Sequence, residues 1–256
     1  MRLRLLGFTL LILFFLLAAA ILWPASALAP WIERGSNGHW RLANTEGSLW
    51  NGNGILLTRA GDSTDWHIAQ NIRWQVRWGE LWHGRLAIES AYDQGNSLIA
   101  LTPNGFSIEQ IDATLPAPMM LALLPGALGR YSWSGTIQVR GSGFLCAWQT
   151  NSCAGEIELQ WNDAAVAELP GNKLGDYRFR LVGEGQALRV DLATLGGRLQ
   201  INGSGEIAAN GLRFKGEAAA TGSDSAALDA MLRTLGSRSG SPGKYLIDYR
   251  EAGASR

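Results

Sequence analysis

The sequence predicts a mainly β protein: a single N-terminal transmembrane helix, then a curved and mostly antiparallel sheet with one or two short covering helices. Three observations predict it. Apolar and polar residues alternate with period two through most of the chain. Short glycine- and asparagine-containing turns separate the alternating runs. Ahead of them, positions 5–23 (LLGFTLLILFFLLAAAILW) run for 19 residues without a charge.

The N-terminal run comes first in order. As a helix rising about 1.5 Å per residue, it would be roughly 28 Å long, close to the ~30 Å hydrocarbon thickness of a bilayer. Arg2 and Arg4 precede it, and the next charge is Glu33. Basic residues on one flank only place the N-terminus in the cytoplasm and the remainder across the membrane. Ala25-Ser26-Ala27 supports a competing reading, a cleaved signal peptide. The apolar core of such peptides is usually shorter, about 7–15 residues, and Trp23 suits an interfacial anchor. The expectation is an uncleaved anchor. The chain then divides into a cytoplasmic N-terminus (1–4), the span (5–23), a membrane-proximal segment (24–45) and an exported sheet domain (46–256).

In 66–78 the apolar residues Trp66, Ile68, Ile72, Trp74, Val76 and Trp78 take even positions, while His67, Asn71, Arg73, Gln75 and Arg77 take odd ones. This is the mark of a strand with one apolar and one wet face. The alternation returns in 86–92, 136–140, 156–161, 177–181, 188–192, 199–201, 212–214 and 244–249. Asn104-Gly105, Gly183-Glu184-Gly185, Gly196-Gly197, Asn202-Gly203 and Asn210-Gly211 read as the turns between runs. Helices are expected at 118–124, closed by Pro125-Gly126, and at 224–235, where Leu228, Met231, Leu232 and Leu235 form an apolar stripe. No linker divides the exported part.

The pattern G-x-L-W-x-G occurs twice, as GSLWNG (Gly47, Leu49, Trp50, Gly52) and GELWHG (Gly79, Leu81, Trp82, Gly84). Each precedes a run that fits a strand. The expected role is structural: the glycines permit a sharp bend, and Leu-Trp seals the apolar face where the strand starts. The chain has eleven tryptophans, and Trp31, Trp40, Trp50, Trp66, Trp74, Trp78 and Trp82 crowd the first third. Most fall on the apolar phase, so core packing is favoured over a ligand platform.

Chemistry is sparse. Nucleophile elbows, phosphate-binding loops and H-E-x-x-H are absent from the sequence, so no enzyme and no cofactor are expected. His39, His67 and His83 lack ligand spacing, which removes a zinc site for Cys146 and Cys153. Export favours a disulfide between these two, closing the loop CAWQTNSC. Twenty-two basic and 22 acidic residues give no excess positive surface for nucleic acid. Glu156, Glu158, Arg178 and Arg180 read as a solvated strand face, the arginines within reach of lipid headgroups if the membrane is near.

The ordered set WPASALAPWIER, RLANTEGSLWNGNG, IRWQVRWGELWHGRLAI, LPAPMMLALLPGALGRYSWSGTIQVRG and ALDAMLRTLGSRSGSPGKYLIDY resembles protein N of the type II (general) secretion pathway over nearly the whole chain. The resemblance implies an accessory inner-membrane subunit of the machine that exports folded periplasmic proteins through the outer membrane. Its implied partners are other inner-membrane or periplasmic subunits, and no catalytic residue comes with it. The periplasmic part also resembles curved β-sheet envelope proteins of the AsmA kind. That leaves a second functional class open: a lipid-handling module that binds phospholipid acyl chains in an apolar groove. The CAWQTNSC insert stands outside the family pattern.

Overall fold

The structure is a computed structural model that describes residues 8, 11, 14–15, 18–19, 21–59, 65–121, 132–167, 173–208, 211–221, 232, 237–238 and 244–252. Fourteen strands form one open sheet: β1 (Trp40–Gly47), β2 (Asn51–Thr58), β3 (His67–Arg77), β4 (Leu86–Tyr92), β5 (Gly95–Thr102), β6 (Gly105–Pro116), β7 (Trp133–Ala147), β8 (Ser152–Val166), β9 (Lys173–Gly185), β10 (Ala187–Gly197), β11 (Leu199–Ala208), β12 (Gly211–Ala220), β13 (Ser237–Arg238) and β14 (Lys244–Ala252). Every pairing is antiparallel, and each strand lies beside the next in sequence. The one exception is β14, which pairs with β12 and leaves the two-residue β13 at the edge. A 3-10 turn (Ala25–Leu28) and three short helices, α1 (Ala29–Gly35), α2 (Trp78–Leu81) and α3 (Ala117–Leu121), complete the described elements.

Register explains the core. Cross-strand partners share a face, so the pairs Leu115↔Ile137, Ile137↔Trp161 and Trp161↔Tyr177 set one inward row across β6 to β9. Ala218↔Tyr245 continues that face on β12 and β14. These residues and Met120, Leu121 and Leu232 pack into one cluster. The alternation in 136–140, 156–161 and 177–181 therefore reports real inward phases. Leu232 is helical and fully buried; the rest of the expected helix at 224–235 lies outside the described residues. The helix expected at 118–124 appears as α3, and 122–124 lie outside. An open apolar groove would need this inner face empty, and between β6 and β9 it is filled by the chain's own side chains.

Three expectations change. The sheet begins at Trp40 rather than at residue 46, so residues 40–45 belong to it. Ile68 is 73 % exposed because a bulge between Leu56 and Leu57 sets Gln70 opposite Leu56 but Ile68 opposite Leu57. That irregularity moves Ile68 to the outer face. Asn202-Gly203 is no turn; it lies within β11. There the Asn202 side-chain Oδ1 accepts a hydrogen bond from the Thr194 N–H at 2.9 Å, beside the bulge between Thr194 and Gly196.

No helix among the described residues is long and apolar enough to cross a membrane. Most of the expected span at 5–23 lies outside them. Within it, Phe8, Leu11, Phe14, Phe15 and Ile21 are helical with exposed side chains.

Candidate functional site: a tryptophan-rich junction

The first G-x-L-W-x-G is the turn between β1 and β2. Ser48 stands at its centre: its N–H donates to the Asn51 carbonyl at 2.9 Å, while its Oγ accepts from the N–H groups of Trp50 and Asn51 at 3.3 and 3.2 Å. A serine oxygen that collects nearby N–H groups is a common way to close a turn. Gly47 has φ +86°, and a Cβ there would lie 2.4 Å from the Asn51 carbonyl oxygen. At Gly52 a Cβ would lie 2.7 Å from both the Glu46 carbonyl oxygen and the Trp74 ring. Both glycines are sterically required.

Leu49 is the node of this turn. Its carbonyl accepts from the Trp74 indole N–H at 3.0 Å, and its N–H donates to the Trp23 carbonyl at 2.8 Å. Pro24 forms an antiparallel bridge with Ser48. The Val76 N–H donates to the Trp50 carbonyl at 2.7 Å. The stretch that follows the apolar N-terminal run is thus hydrogen-bonded directly to the first hairpin. Ala25, Leu42 and Trp74 bury together here, with Leu28, Ala29 and Ile32 packed against them.

The second G-x-L-W-x-G connects β3 to β4 through the single turn α2. The N–H groups of His83, Gly84 and Arg85 donate back to the carbonyls of Glu80, Leu81 and Glu80 at 2.9, 2.9 and 3.1 Å. Gly84 takes φ +70°, so it is conformationally required, but no atom lies within 4 Å of a Cβ at Gly79 or Gly84. Trp82 is 92 % exposed. It does not seal an apolar face, contrary to the expectation from the repeated motif. Its neighbour does make contact: the Trp78 ring sits 4.9 Å from that of Trp50. The structure therefore brings the two motifs together through Trp50 and Trp78, a residue one position outside the pattern.

Core packing describes fewer tryptophans than expected. Trp74 and Trp161 are buried, whereas Trp23, Trp31, Trp78, Trp82 and Trp148 are exposed. All five exposed rings lie off the strands, before β1 or on connections, where the inward phase of a sheet does not reach.

Cys146 and Cys153 form a disulfide. They are direct cross-strand partners at the β7–β8 turn. Beside it, Trp148 rests on Phe106 with ring centroids 5.3 Å apart, and the Trp148 N–H donates to the Asn104 carbonyl at 2.8 Å. This ties the turn to the preceding hairpin.

The outer face is ionic. Glu156 and Arg180 pair at 2.5 Å, and the Arg180 hydrogen bond holds the Glu156 carboxyl below its ordinary range. Arg41 pairs with Glu33 at 2.9 Å and stacks 4.5 Å from the centroid of Trp66. On the inner face, burial pushes the Tyr177 phenol well above its usual value, helped by the Asp176 charge. Its hydroxyl donates to the Leu199 carbonyl at 2.7 Å, a structural bond between β9 and β11. Among the described residues, no group of three His, Cys, Asp or Glu side chains is placed to hold a metal ion.

An open antiparallel sheet in strict sequence order, joined through its first hairpin to the end of an apolar N-terminal run, defines the class: a single-sheet, mainly β protein. The profile of the family described as type II secretion system (T2SS), protein N, matches residues 38–248. The chain belongs to that family. The match takes in both G-x-L-W-x-G motifs and both cysteines. Comparison with curated proteins and with solved structures finds no match.

Proposed function

We propose that the chain is an accessory inner-membrane subunit of the type II secretion system. In this reading one N-terminal span holds it, the sheet stands in the periplasm, and it supports export of folded periplasmic proteins through contacts with other subunits rather than by catalysis. The observation that carries the reading is the family match over 38–248, which runs from the edge of β1 into β14. The apolar run at 5–23 behind Arg2 and Arg4 supports the topology. The disulfide suits an oxidising compartment. An open sheet also leaves terminal strands and turns on which another subunit can dock.

Deletion in the bacterium that carries the chain tests it. Secreted proteins should accumulate in the periplasm and reach the medium again on complementation. In-cell crosslinking should join the sheet to another secretion subunit. Normal secretion without the chain, together with no such crosslink, would defeat the proposal. A reporter active only in the periplasm, fused after Arg256, checks the topology separately.

A further inference from the structure

The β3–β4 connection holds its apolar side chains in solvent: Trp78 is 48 %, Leu81 39 % and Trp82 92 % exposed. Its place in the fold gives this exposure a direction. In a sheet of consecutive antiparallel strands, connections alternate between the two ends of the strands. The β1–β2 turn and the β3–β4 connection therefore fall at the same end. That end is also where the apolar N-terminal run stops, because the Trp23 carbonyl accepts from Leu49 at 2.8 Å and Pro24 bridges Ser48. One residue beyond Leu49, the Trp50 ring lies 4.9 Å from that of Trp78. Two contacts thus link the end of the apolar run to the projecting turn.

We infer that the Trp78–Leu81–Trp82 turn rests in the headgroup layer of the same bilayer that residues 5–23 cross, as a second point of attachment beside the anchor. The inference rests on the membrane topology given under Proposed function. The chemistry is that of tryptophan, whose large apolar ring and single N–H favour the boundary between water and hydrocarbon. Charge does not direct the contact. Arg85 is paired with Glu80 at 3.5 Å and with Glu109, and Arg77 with Glu89 at 3.0 Å. The attachment should therefore persist at high salt and need no anionic lipid. A protein partner is the other occupant of an exposed apolar turn. Three side chains are a small patch beside the roughly 20–30 residues per side of a stable protein interface, whereas a bilayer needs only the ring.

The full chain in nanodiscs of phosphatidylethanolamine and phosphatidylglycerol tests this. A nitroxide is placed at Leu81→Cys, with the native disulfide left oxidised so that it takes no label, and a second is placed at His67→Cys at the opposite end of β3. Collisions with oxygen, which concentrates in lipid, should exceed those with a water-soluble nickel chelate at 81, and the order should reverse at 67. Adding Trp82→Ser should lower the oxygen-to-nickel ratio at 81 by about twofold or more, with an unchanged melting temperature. A label at 81 that reads as aqueous, in chain that resists carbonate extraction, overturns the inference and leaves the anchor standing. Shielding of 81 from both reagents would mean a protein contact, and overturns it too. Chain that washes off the membrane sinks the anchor and the inference together.

Discussion

In the β1–β2 turn, G-x-L-W-x-G is closed in by backbone on two sides and a tryptophan ring on a third; in the β3–β4 connection the same letters face water. The difference lies in spacing and not in composition. Three residues, 48–50, separate β1 from β2, too few to carry the turn away from the strands it joins. Eight residues, 78–85, separate β3 from β4, enough for a helical turn that carries Leu81 and Trp82 away from the sheet. The chain that follows the apolar run also covers the first turn, and nothing described covers the second. A short motif specifies what a turn can do, and its length and cover decide what it does.

The sharpest way to break this contrast is to remove the ring on which the first turn rests. Trp74→Ala should destabilise the fold by about 3–5 kcal/mol, as removal of a buried tryptophan does, and lower abundance accordingly. Urea unfolding measures it, and a loss below about 1 kcal/mol would mean that the first turn is not held by its packing. The β7–β8 turn sharpens the comparison, because there a covalent link does the work of close packing. Its loop of eight residues, counted from Cys146 to Cys153, gives about 2.5 kcal/mol in the chain-entropy model. Cys146→Ser with Cys153→Ser should lose up to that amount, and reduction of the wild type should match the double variant.

The glycines separate the two turns most directly. Gly52→Ala should cost about 1–3 kcal/mol, since backbone and the Trp74 ring occupy the Cβ position. Gly79→Ala meets no atom within 4 Å and should stay within about 0.5 kcal/mol of wild type. Equal effects would show that the repeat, and not its surroundings, sets the energetics. Trp82→Ala belongs with Gly79: about 0.5 kcal/mol or less, read as an almost unmoved melting temperature. The smallest effect is expected far from both turns, at Glu156. The Arg180 hydrogen bond lowers its folded pKa. Its contribution is therefore present above the unfolded value, ~4.3, and is lost as pH falls through the folded one. The small difference in melting temperature between wild type and Glu156→Gln should be present at pH 7 and shrink as pH falls below ~4.3.

Much of the sheet was legible because a strand buried on one face writes its phase into the sequence. The runs in β3, β4, β7 to β12 and β14 all stood out. Strands β1, β5 and β6 did not. In β5, Leu98, Ile99, Ala100 and Leu101 are apolar in succession and write no alternation. The extra residue of a register shift falls in β1 between Ala43 and Glu46 and in β6 between Ile108 and Gln110, so their inward positions change parity partway. Ile68 was misplaced by the same device. The junction was half legible. The Leu-Trp repeat marked the right two turns, but the contact between Trp23 and Leu49 joins segments that no local pattern relates. Trp78 was read as the end of a strand when it is the start of a turn.

Strict sequence order within the sheet bears on how the chain is assembled. From β2 to β12, each strand needs only the partner made just before it, so loops between paired segments stay short and contact order is low for a β protein. A chain threaded across a membrane from its N-terminus would offer strands in the order in which the sheet accepts them. Each arriving hairpin would find a waiting edge, and that edge would stay unpaired only for the time the next segment takes to emerge. Growth would start from the β1–β2 hairpin, beside the end of the apolar N-terminal run, and move outward strand by strand. Only β14 waits for distant chain: it adds to β12 after residues 221–243 have passed.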